Sequence, residues 1–395
     1  MFTPEALATK PTRGGGSVVT PNTHVVTVSG EKEYIAIYDV QTPSSITQTA
    51  NYDLSAVEGG TGTINGISRG GAPGLNTCTM PLHVVNGVVY VAINQSIYAY
   101  DVSDPTTISE LGSIDLSAYT SHQVEQCARN MHHDDRLFAL TDFGSGSGAE
   151  LFCIDITDPS SMSYLTDVTI TAESGQSNVG YGSFASAYDS DSYTDGQVAV
   201  PVDRAVKGYE LTGASRDGLS LIWIENHATN SSAATTQIMG IDFCTGLSND
   251  TFTQTLVSFY EAGKVAFTTN GYSTNTAFTD AAVLDDPRGI RALPAYSAYG
   301  TYTAFCVAAY DDDALVILEK PSSGGTPVVR VDQYNAANNG IMNIDVYDEW
   351  IYCVSTVYQG FSIWELTGST SVSLAGSIQD TTTYLGKSFQ IGVIQ

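Results

Sequence analysis

Residues 96–117, SIYAYDVSDPTTISELGSIDLS, contain a motif that recurs along the chain. An apolar strand with period-two alternation ends at Asp101, and an Asp-Pro turn leads into a second strand. Related stretches stand at 34–55 (YIAIYDVQTPSSITQTANYDLS) and 151–171 (LFCIDITDPSSMSYLTDVTIT). Because proline presets φ and aspartate bonds its own backbone, the motif is typical of two strands joined by a tight turn.

A hairpin precedes the motif in its best copy. Asn86 and Gly87 separate LHVV from VVYVAI, and both positions tolerate positive φ, which indicates a two-residue turn. Weaker copies carry a glutamate at the aspartate position: 219–240 with Glu225, 314–335 with Glu319, and 360–380 with Glu365. The span 244–300 has strand-like segments but no clean copy.

Four-stranded units repeated along a chain predict an all-β fold, the β-propeller. Counting the span 244–300 as one unit gives seven blades, while six or eight blades remain alternatives. A pair of β-sandwiches is the competing architecture, but it does not predict the same motif at both ends of the chain. The predicted domains are an extended N-terminal arm at 1–22, rich in proline and glycine, and a single propeller at 23–395.

The stretches QSIYAYDVSDPTTISELGSIDL and AELFCIDITDPSSMSYLTDVTI resemble the LVIVD repeat, a propeller family with an apolar strand, Asp, a small residue and Asp-Pro. The resemblance is good over about 80–171, partial over 34–55 and 314–380, and poor over 172–310. It implies a propeller. Members of that family are mostly surface or extracellular proteins without an assigned reaction, so the resemblance implies no catalytic residues.

The charge balance is strongly acidic, with 42 Asp and Glu against 15 Lys and Arg and a formal net charge of -27. Nucleic acid as a direct partner is disfavoured because phosphate neutralisation needs clustered basic residues. Membrane insertion is not expected, since no run of about 18 apolar residues occurs. No signal peptide is visible at the N-terminus, which lacks a charged start followed by an apolar stretch.

Six cysteines are widely spaced and form no C-x-x-C pair: Cys78, Cys127, Cys153, Cys244, Cys306 and Cys353. Zinc spacing is absent. Three of them lie within apolar strand-like runs, where a buried thiol acts as a small hydrophobe. We expect structural free thiols, with one disulfide among Cys78, Cys127 and Cys244 as the alternative.

The densest group of potential metal ligands is His132, His133, Asp134 and Asp135, in MHHDDRLFAL. Adjacent histidines in a strand point to opposite faces, so both rarely reach one metal. The group also occupies the position of a hairpin turn before the strand LFAL. A turn is therefore the favoured interpretation, and a metal or catalytic site is the alternative.

A second candidate is YDSDSYTDG at 188–196, which offers Asp189, Asp191 and Asp195 before a glycine. The spacing D-x-[DN]-x-[DN]-G of a calcium loop is not met, because Tyr193 occupies the third position. A solvated loop is favoured. Calcium is the one ion considered, and no other cofactor is expected.

The sequence contains no H-E-x-x-H helix or phosphate-binding glycine loop, which leans against an enzyme and leaves the question open. We expect a non-enzymatic structural or docking propeller, a subunit of a larger assembly such as a virion, as a phage tail, nozzle or capsid-surface protein. Its partners would be other protein subunits, held by the arm and the blade loops, at a virion or extracellular surface. The alternatives are a secreted or cell-surface propeller that binds glycans or proteins, and a hydrolase that uses carboxylates in the central cavity.

Overall fold

Seven sheets arranged in a ring form a seven-bladed β-propeller, which confirms the predicted fold class. The computed structural model describes residues 23–69, 82, 84–129, 135–141, 148–171, 185–187, 197–202, 204–226, 238–245, 253–259, 263–269, 276–280, 282–293, 303–320, 327–335, 339–380, 383–387 and 389–394. The predicted arm at 1–22 lies outside these residues.

Each blade has four antiparallel strands, which we call innermost, second, third and outermost, counted from the channel outward. The β labels follow chain order, and each list below runs from blade 1 to blade 7. The innermost strands are β30 (Phe389–Val393), β6 (Val84–Val85), β10 (Val124–Arg129), β14 (Ala185–Ala187), β18 (Ile238–Thr245), β22 (Pro287–Ala292) and β26 (Ile341–Tyr347). The second strands are β1 (His24–Ser29), β7 (Val88–Ile93), β11 (Arg136–Thr141), β15 (Gln197–Val202), β19 (Thr253–Phe259), β23 (Thr303–Ala309) and β27 (Trp350–Ser355).

The outer half of each blade follows the same order. The third strands are β2 (Tyr34–Asp39), β8 (Ser96–Asp101), β12 (Ala149–Asp155), β16 (Ala205–Thr212), β20 (Lys264–Thr269), β24 (Ala314–Lys320) and β28 (Gly360–Gly368). The outermost strands are β3 (Thr47–Asp53), β9 (Ser109–Asp115), β13 (Ser163–Ile170), β17 (Gly218–Asn226), β21 (Thr276–Thr279), β25 (Val328–Tyr334) and β29 (Ser371–Gln379). Blade 2 also holds a short hairpin, β4 (Thr63–Ile64) and β5 (Ile67–Ser68). Two 3-10 helices, Pro43–Ser45 and Val57–Gly60, complete the described elements.

The ring is closed by the two ends of the chain. Strand β30 pairs antiparallel with β1, so the C-terminal strand supplies the innermost strand of blade 1. The backbone N–H of Leu82, at the start of blade 2, then donates to the carbonyl of Ile391 on β30 at 2.8 Å. A closed ring leaves few free sheet edges, which stabilises the fold against edge-to-edge association.

The aspartates of the repeated motif end the third strands and shape the turn that follows. Asp101 accepts the N–H and the hydroxyl of Ser103 at 2.9 and 2.6 Å, while Asp39 and Asp155 accept the N–H two residues on, each at 2.9 Å. These are Asx turns, as the sequence predicted. The Asn86-Gly87 hairpin is confirmed as well, with φ of 51° and 71°.

The same turns also connect neighbouring blades. The hydroxyl of Thr49, on the outermost strand of blade 1, donates to the carbonyl of Pro105 in the turn of blade 2 at 2.6 Å. At Gly112 on β9, an added Cβ would lie 2.9 Å from the carbonyl oxygen of Ser160 in the turn of blade 3. At Gly376 on β29, it would overlap the carbonyl of Pro43 in blade 1. The Asp-Pro turn of one blade therefore packs on the outer strand of the preceding blade.

Apolar side chains fill the spaces between adjacent blades. One cluster joins blades 3 and 4, another blades 2 and 3, and others join blades 6 and 7 and blades 7 and 1. Four buried cysteines belong to this described core, all as free thiols: Cys127, Cys153, Cys306 and Cys353. The expectation of structural thiols is confirmed for these four, and the disulfide alternative does not hold for Cys127. Within the described part of the chain, no helix has the length and apolar character needed to cross a bilayer.

Candidate active site in the central channel

Three consecutive innermost strands place charged side chains at the same position. Strand β18 contains Ile241-Asp242, β22 contains Ile290-Arg291, and β26 contains Ile344-Asp345. The three isoleucines are almost fully buried and belong to the cores between blades. Because side chains alternate along a strand, the residue after each isoleucine points away from that core and lies beside the axis of the ring.

Arg291 links blades 5 and 6. Its Nη1 donates to the carbonyls of Ile241 and Ile290 at 3.1 and 3.0 Å, and it lies 3.8 Å from Oδ1 of Asp242. The other carboxylate oxygen of Asp242 accepts the N–H of Ala292 at 2.8 Å. Innermost strands have a free edge of peptide groups facing the channel, and these side chains satisfy part of it. The side chain of Asp242 is 23% exposed and that of Arg291 10% exposed, so the pair borders the channel.

Asp345 is the most perturbed carboxyl group of the cluster. Burial raises its pKa to about 6 from an ordinary value of 3.8, and the negative charge of Asp242 acts in the same direction. The positive charge of Arg291 and hydrogen bonds from the N–H groups of Val346 and Val393 oppose this rise in pKa. The residue is nevertheless partly accessible. Asp345 is therefore mostly ionised at neutral pH, and it is a stronger base than a surface aspartate.

The β4–β5 hairpin covers part of the channel at the end where the innermost strands begin. Its turn residue Asn65 is buried, with Oδ1 accepting the N–H of Ala92 at 2.9 Å and Nδ2 donating to Oε1 of Gln390 at 2.8 Å. Its Ile67 packs against Met342 of blade 7 and approaches Gly30 of blade 1, where a side chain would collide with it. The hairpin thus spans blades 2, 1 and 7. Asp345 lies toward the far end of β26, nearer the end of the channel opposite this hairpin.

Of the metal candidates predicted from the sequence, the structure describes only Asp135, which is not part of this site. Six of them, His132, His133, Asp134, Asp189, Asp191 and Asp195, lie outside the described residues. Asp135 is described: it lies in the turn before β11, 3.2 Å from the guanidinium of Arg136, and its carbonyl accepts the N–H of Ile156. Among the residues that the structure describes, no three His, Cys, Asp or Glu side chains are grouped to hold a metal ion. The expectations on calcium, on protein or glycan partners and on localisation stay predictions.

Asp242, Arg291 and Asp345 were missed as functional candidates from the sequence. A signal for them exists: MGID at 239–242, RGIR at 288–291 and MNID at 342–345 share one pattern, a small or polar residue, isoleucine and a charged residue. Two of these stretches lie within the spans where the repeated motif is weak. Nothing local distinguishes their charges from those of surface strands.

Solved structures with the same ring come from several bacteria. No family model and no curated protein sequence matches the chain. A candidate 6-phosphogluconolactonase of Bacteroides fragilis superimposes with a TM-score of 0.64 and 8% identity, covering 96% of this chain and 100% of its own. A periplasmic gluconolactonase of Pseudomonas aeruginosa gives a TM-score of 0.60 and 10% identity, with 94% and 100% covered. A candidate 6-phosphogluconolactonase of Bacteroides uniformis gives 0.60 and 9%, with 94% and 99% covered.

These comparisons correct the functional expectation. A non-enzymatic structural subunit of a virion or similar assembly was predicted, and this prediction is wrong, because the chain shares its complete ring with proteins described as lactonases. The error has a physical reason. Composition and repeat pattern report how the blades are built, and they carry no information on which charged groups meet at the axis. The resemblance to LVIVD repeats stays a prediction.

Proposed function

We propose that this protein is a hydrolase that opens small lactones, cyclic esters, within its central channel. The observation that carries the proposal is the Asp345 carboxylate, which is partly accessible, has a pKa of about 6 and feels the positive charge of Arg291 on the neighbouring strand β22. A general base works best when its pKa lies close to the working pH, and a buried cation stabilises the negative charge that develops on an attacked carbonyl. The lactonases that share the ring support the choice of a cyclic ester as substrate.

The reaction follows from these two side chains. The Asp345 carboxylate takes a proton from a water molecule, and the oxygen of that water attacks the carbonyl carbon of the lactone. The resulting oxyanion is stabilised by Arg291, whose orientation is fixed by its bonds to two backbone carbonyls and its contact with Asp242. When the intermediate collapses, the ring C–O bond breaks and the leaving oxygen takes the proton back from Asp345. The product is the open hydroxy acid, which releases its own carboxyl proton at neutral pH.

The test is hydrolysis of glucono-δ-lactone, followed by proton release in a pH-stat and corrected for the spontaneous reaction. We expect kcat/KM to rise with pH through an apparent pKa of about 6, because Asp345 must be deprotonated to act as a base. Asp345→Asn should lower kcat about 100-fold or more, the usual contribution of a general base. Arg291→Lys should also lower kcat, since lysine keeps the charge but does not reproduce the planar fork.

Asp158→Asn is the matched control for this experiment. It removes a carboxylate of an exposed Asx turn, where Asp158 accepts the N–H and hydroxyl of Ser160, and it should leave kcat unchanged. The proposal is refuted if the wild-type protein does not exceed the spontaneous rate, or if Asp345→Asn hydrolyses the lactone as fast as the control.

A further inference from the structure

We infer that the channel site accepts an uncharged lactone and discriminates against a phosphorylated one. This inference rests on the proposed function and concerns the substrate class of the same site. The two kinds of lactonase that share the ring differ in this respect, since one is described by a phosphorylated substrate and the other by an unphosphorylated one. The charges around the channel distinguish between them.

The described arginines of the innermost strands are already matched by carboxylates. Arg288 is paired with Asp286, and the side chains are 1% and 6% exposed. Arg291 lies 3.8 Å from Asp242, and its charge also acts on Asp345, so these three side chains have a net charge of one negative unit once both carboxyls are ionised. Neither guanidinium retains an uncompensated charge for a phosphate group, whose recognition depends on charge-assisted hydrogen bonds from such cations.

The remaining basic residue of the innermost strands does not alter this balance. Arg129 ends β10 in blade 3. Blade 3 is separated from the blades that contribute Asp242 and Asp345. Among the side chains that the structure describes, the innermost strands of blades 5 to 7 therefore offer no surplus of positive charge near the proposed site.

The fold supplies no other anion-binding device in its described part. Phosphate groups commonly bind at the N-terminus of an α-helix, where free N–H groups and the helix dipole converge. The described elements are strands and two 3-10 helices, of three and four residues. The net charge of -27 adds a repulsive field that acts on any anion approaching the ring. An uncharged lactone needs no anion-binding device and is not repelled by this field. Its hydroxyl groups can form hydrogen bonds with the peptide groups and carboxylates at the edge of the channel.

The experiment compares kcat/KM for glucono-δ-lactone and for 6-phosphogluconolactone at two ionic strengths. Screening of charges is weak at about 20 mM and strong at about 200 mM. We expect the uncharged substrate to be preferred at least tenfold at low salt. Its rate should not depend on salt. The rate with the phosphorylated substrate should rise with salt, because screening weakens the repulsion.

Two variants separate a local from a global effect of charge. Asp242→Asn removes one negative charge beside Arg291, and it should raise the ratio of phosphorylated to uncharged turnover severalfold. Asp158→Asn removes the same charge at an exposed turn, and it should leave that ratio unchanged. Equal or better hydrolysis of the phosphorylated lactone at low salt would overturn the inference and leave the proposed function standing. If neither lactone is hydrolysed, the proposed function fails and the inference falls with it.

Discussion

Replacing Asp345 with asparagine is expected to make the protein more stable at neutral pH, whereas the proposed function predicts that it abolishes most of the hydrolysis. The pKa of the carboxyl is about 6 in the folded protein and 3.8 ordinarily, so the folded state binds this proton more tightly than the unfolded state does. The contribution of this carboxyl group to the free energy of unfolding is fully present below pH 3.8 and is lost as the pH rises through 6. Asparagine has no proton to lose and nearly the same shape, and its Oδ1 can still accept a backbone N–H.

The magnitude follows from the two pKa values. A difference of about two pKa units corresponds to about 3 kcal/mol once the carboxyl is ionised in both states, as at pH 8. At pH 5 the folded carboxyl is still mostly protonated, and the penalty is about half as large. Asp345→Asn should therefore stabilise the protein by up to these amounts, and the gain should grow between pH 5 and pH 8. The group is only partly accessible, so solvent screening reduces the effect modestly.

The assay is equilibrium urea unfolding of the wild-type protein and the variant at pH 5, 6, 7 and 8, with the free energy taken from linear extrapolation. The range stays above the sequence pI of about 4.2, where low net charge favours association. Asp104→Asn is the opposite control. Hydrogen bonds from the hydroxyl and N–H of Thr106 lower the pKa of Asp104, so this variant should lose stability at neutral pH. A loss of stability for Asp345→Asn at pH 8, or a gain that does not depend on pH, would refute the assignment of a raised pKa.

Three further outcomes concern the ring itself. Gly376→Ala should destabilise the protein by about 1–3 kcal/mol in urea unfolding, because the added Cβ overlaps the carbonyl of Pro43 where blades 7 and 1 meet. The control Ser373→Ala, at an exposed position on the same strand, should change stability little. Equal effects of the two substitutions would contradict the packing of the turn on this strand. Ile391→Ala, on the strand that closes the ring, should cost about 2–5 kcal/mol by the same measurement, and a cost below 1 kcal/mol would show that β30 does not pack as described. Burial raises the pKa of the Cys153 thiol to about 12, so a thiol reagent should label this residue only in urea. Peptide mapping by mass spectrometry detects the label, and labelling of Cys153 in the folded protein would contradict its burial.

The blade units were predictable because their signals are local. Period-two alternation marks a strand, Asn86-Gly87 provides two positions with positive φ, and Asp101 bonds the backbone two residues on. Each of these signals depends on a few neighbouring residues, so each can be predicted from the sequence without knowledge of the rest of the fold. The blade number followed from counting the copies, including the span 244–300, which supplies all of blade 5 beyond its first strand and the start of blade 6.

The candidate site was not predictable in the same way. Asp242, Arg291 and Asp345 are separated by about 50 residues each, and their charges meet only because consecutive innermost strands stand side by side around the axis. The pKa of Asp345 depends on burial, which no spacing in the sequence reports. A function inferred from composition therefore pointed to a structural subunit, while the proposal of hydrolysis needed the assembled channel.

The sequence by itself determined the repeating unit, its turns and the class of fold, since these arise from backbone preferences and side chain-to-backbone bonds within a few residues. The tertiary structure decided how the ring closes, with β30 completing blade 1, and which residues border the channel. It also decided that the Asp-Pro turn of one blade rests on the outer strand of the blade before it. Contacts of this kind join residues far apart in the chain, and they exist only once all seven blades have packed in order.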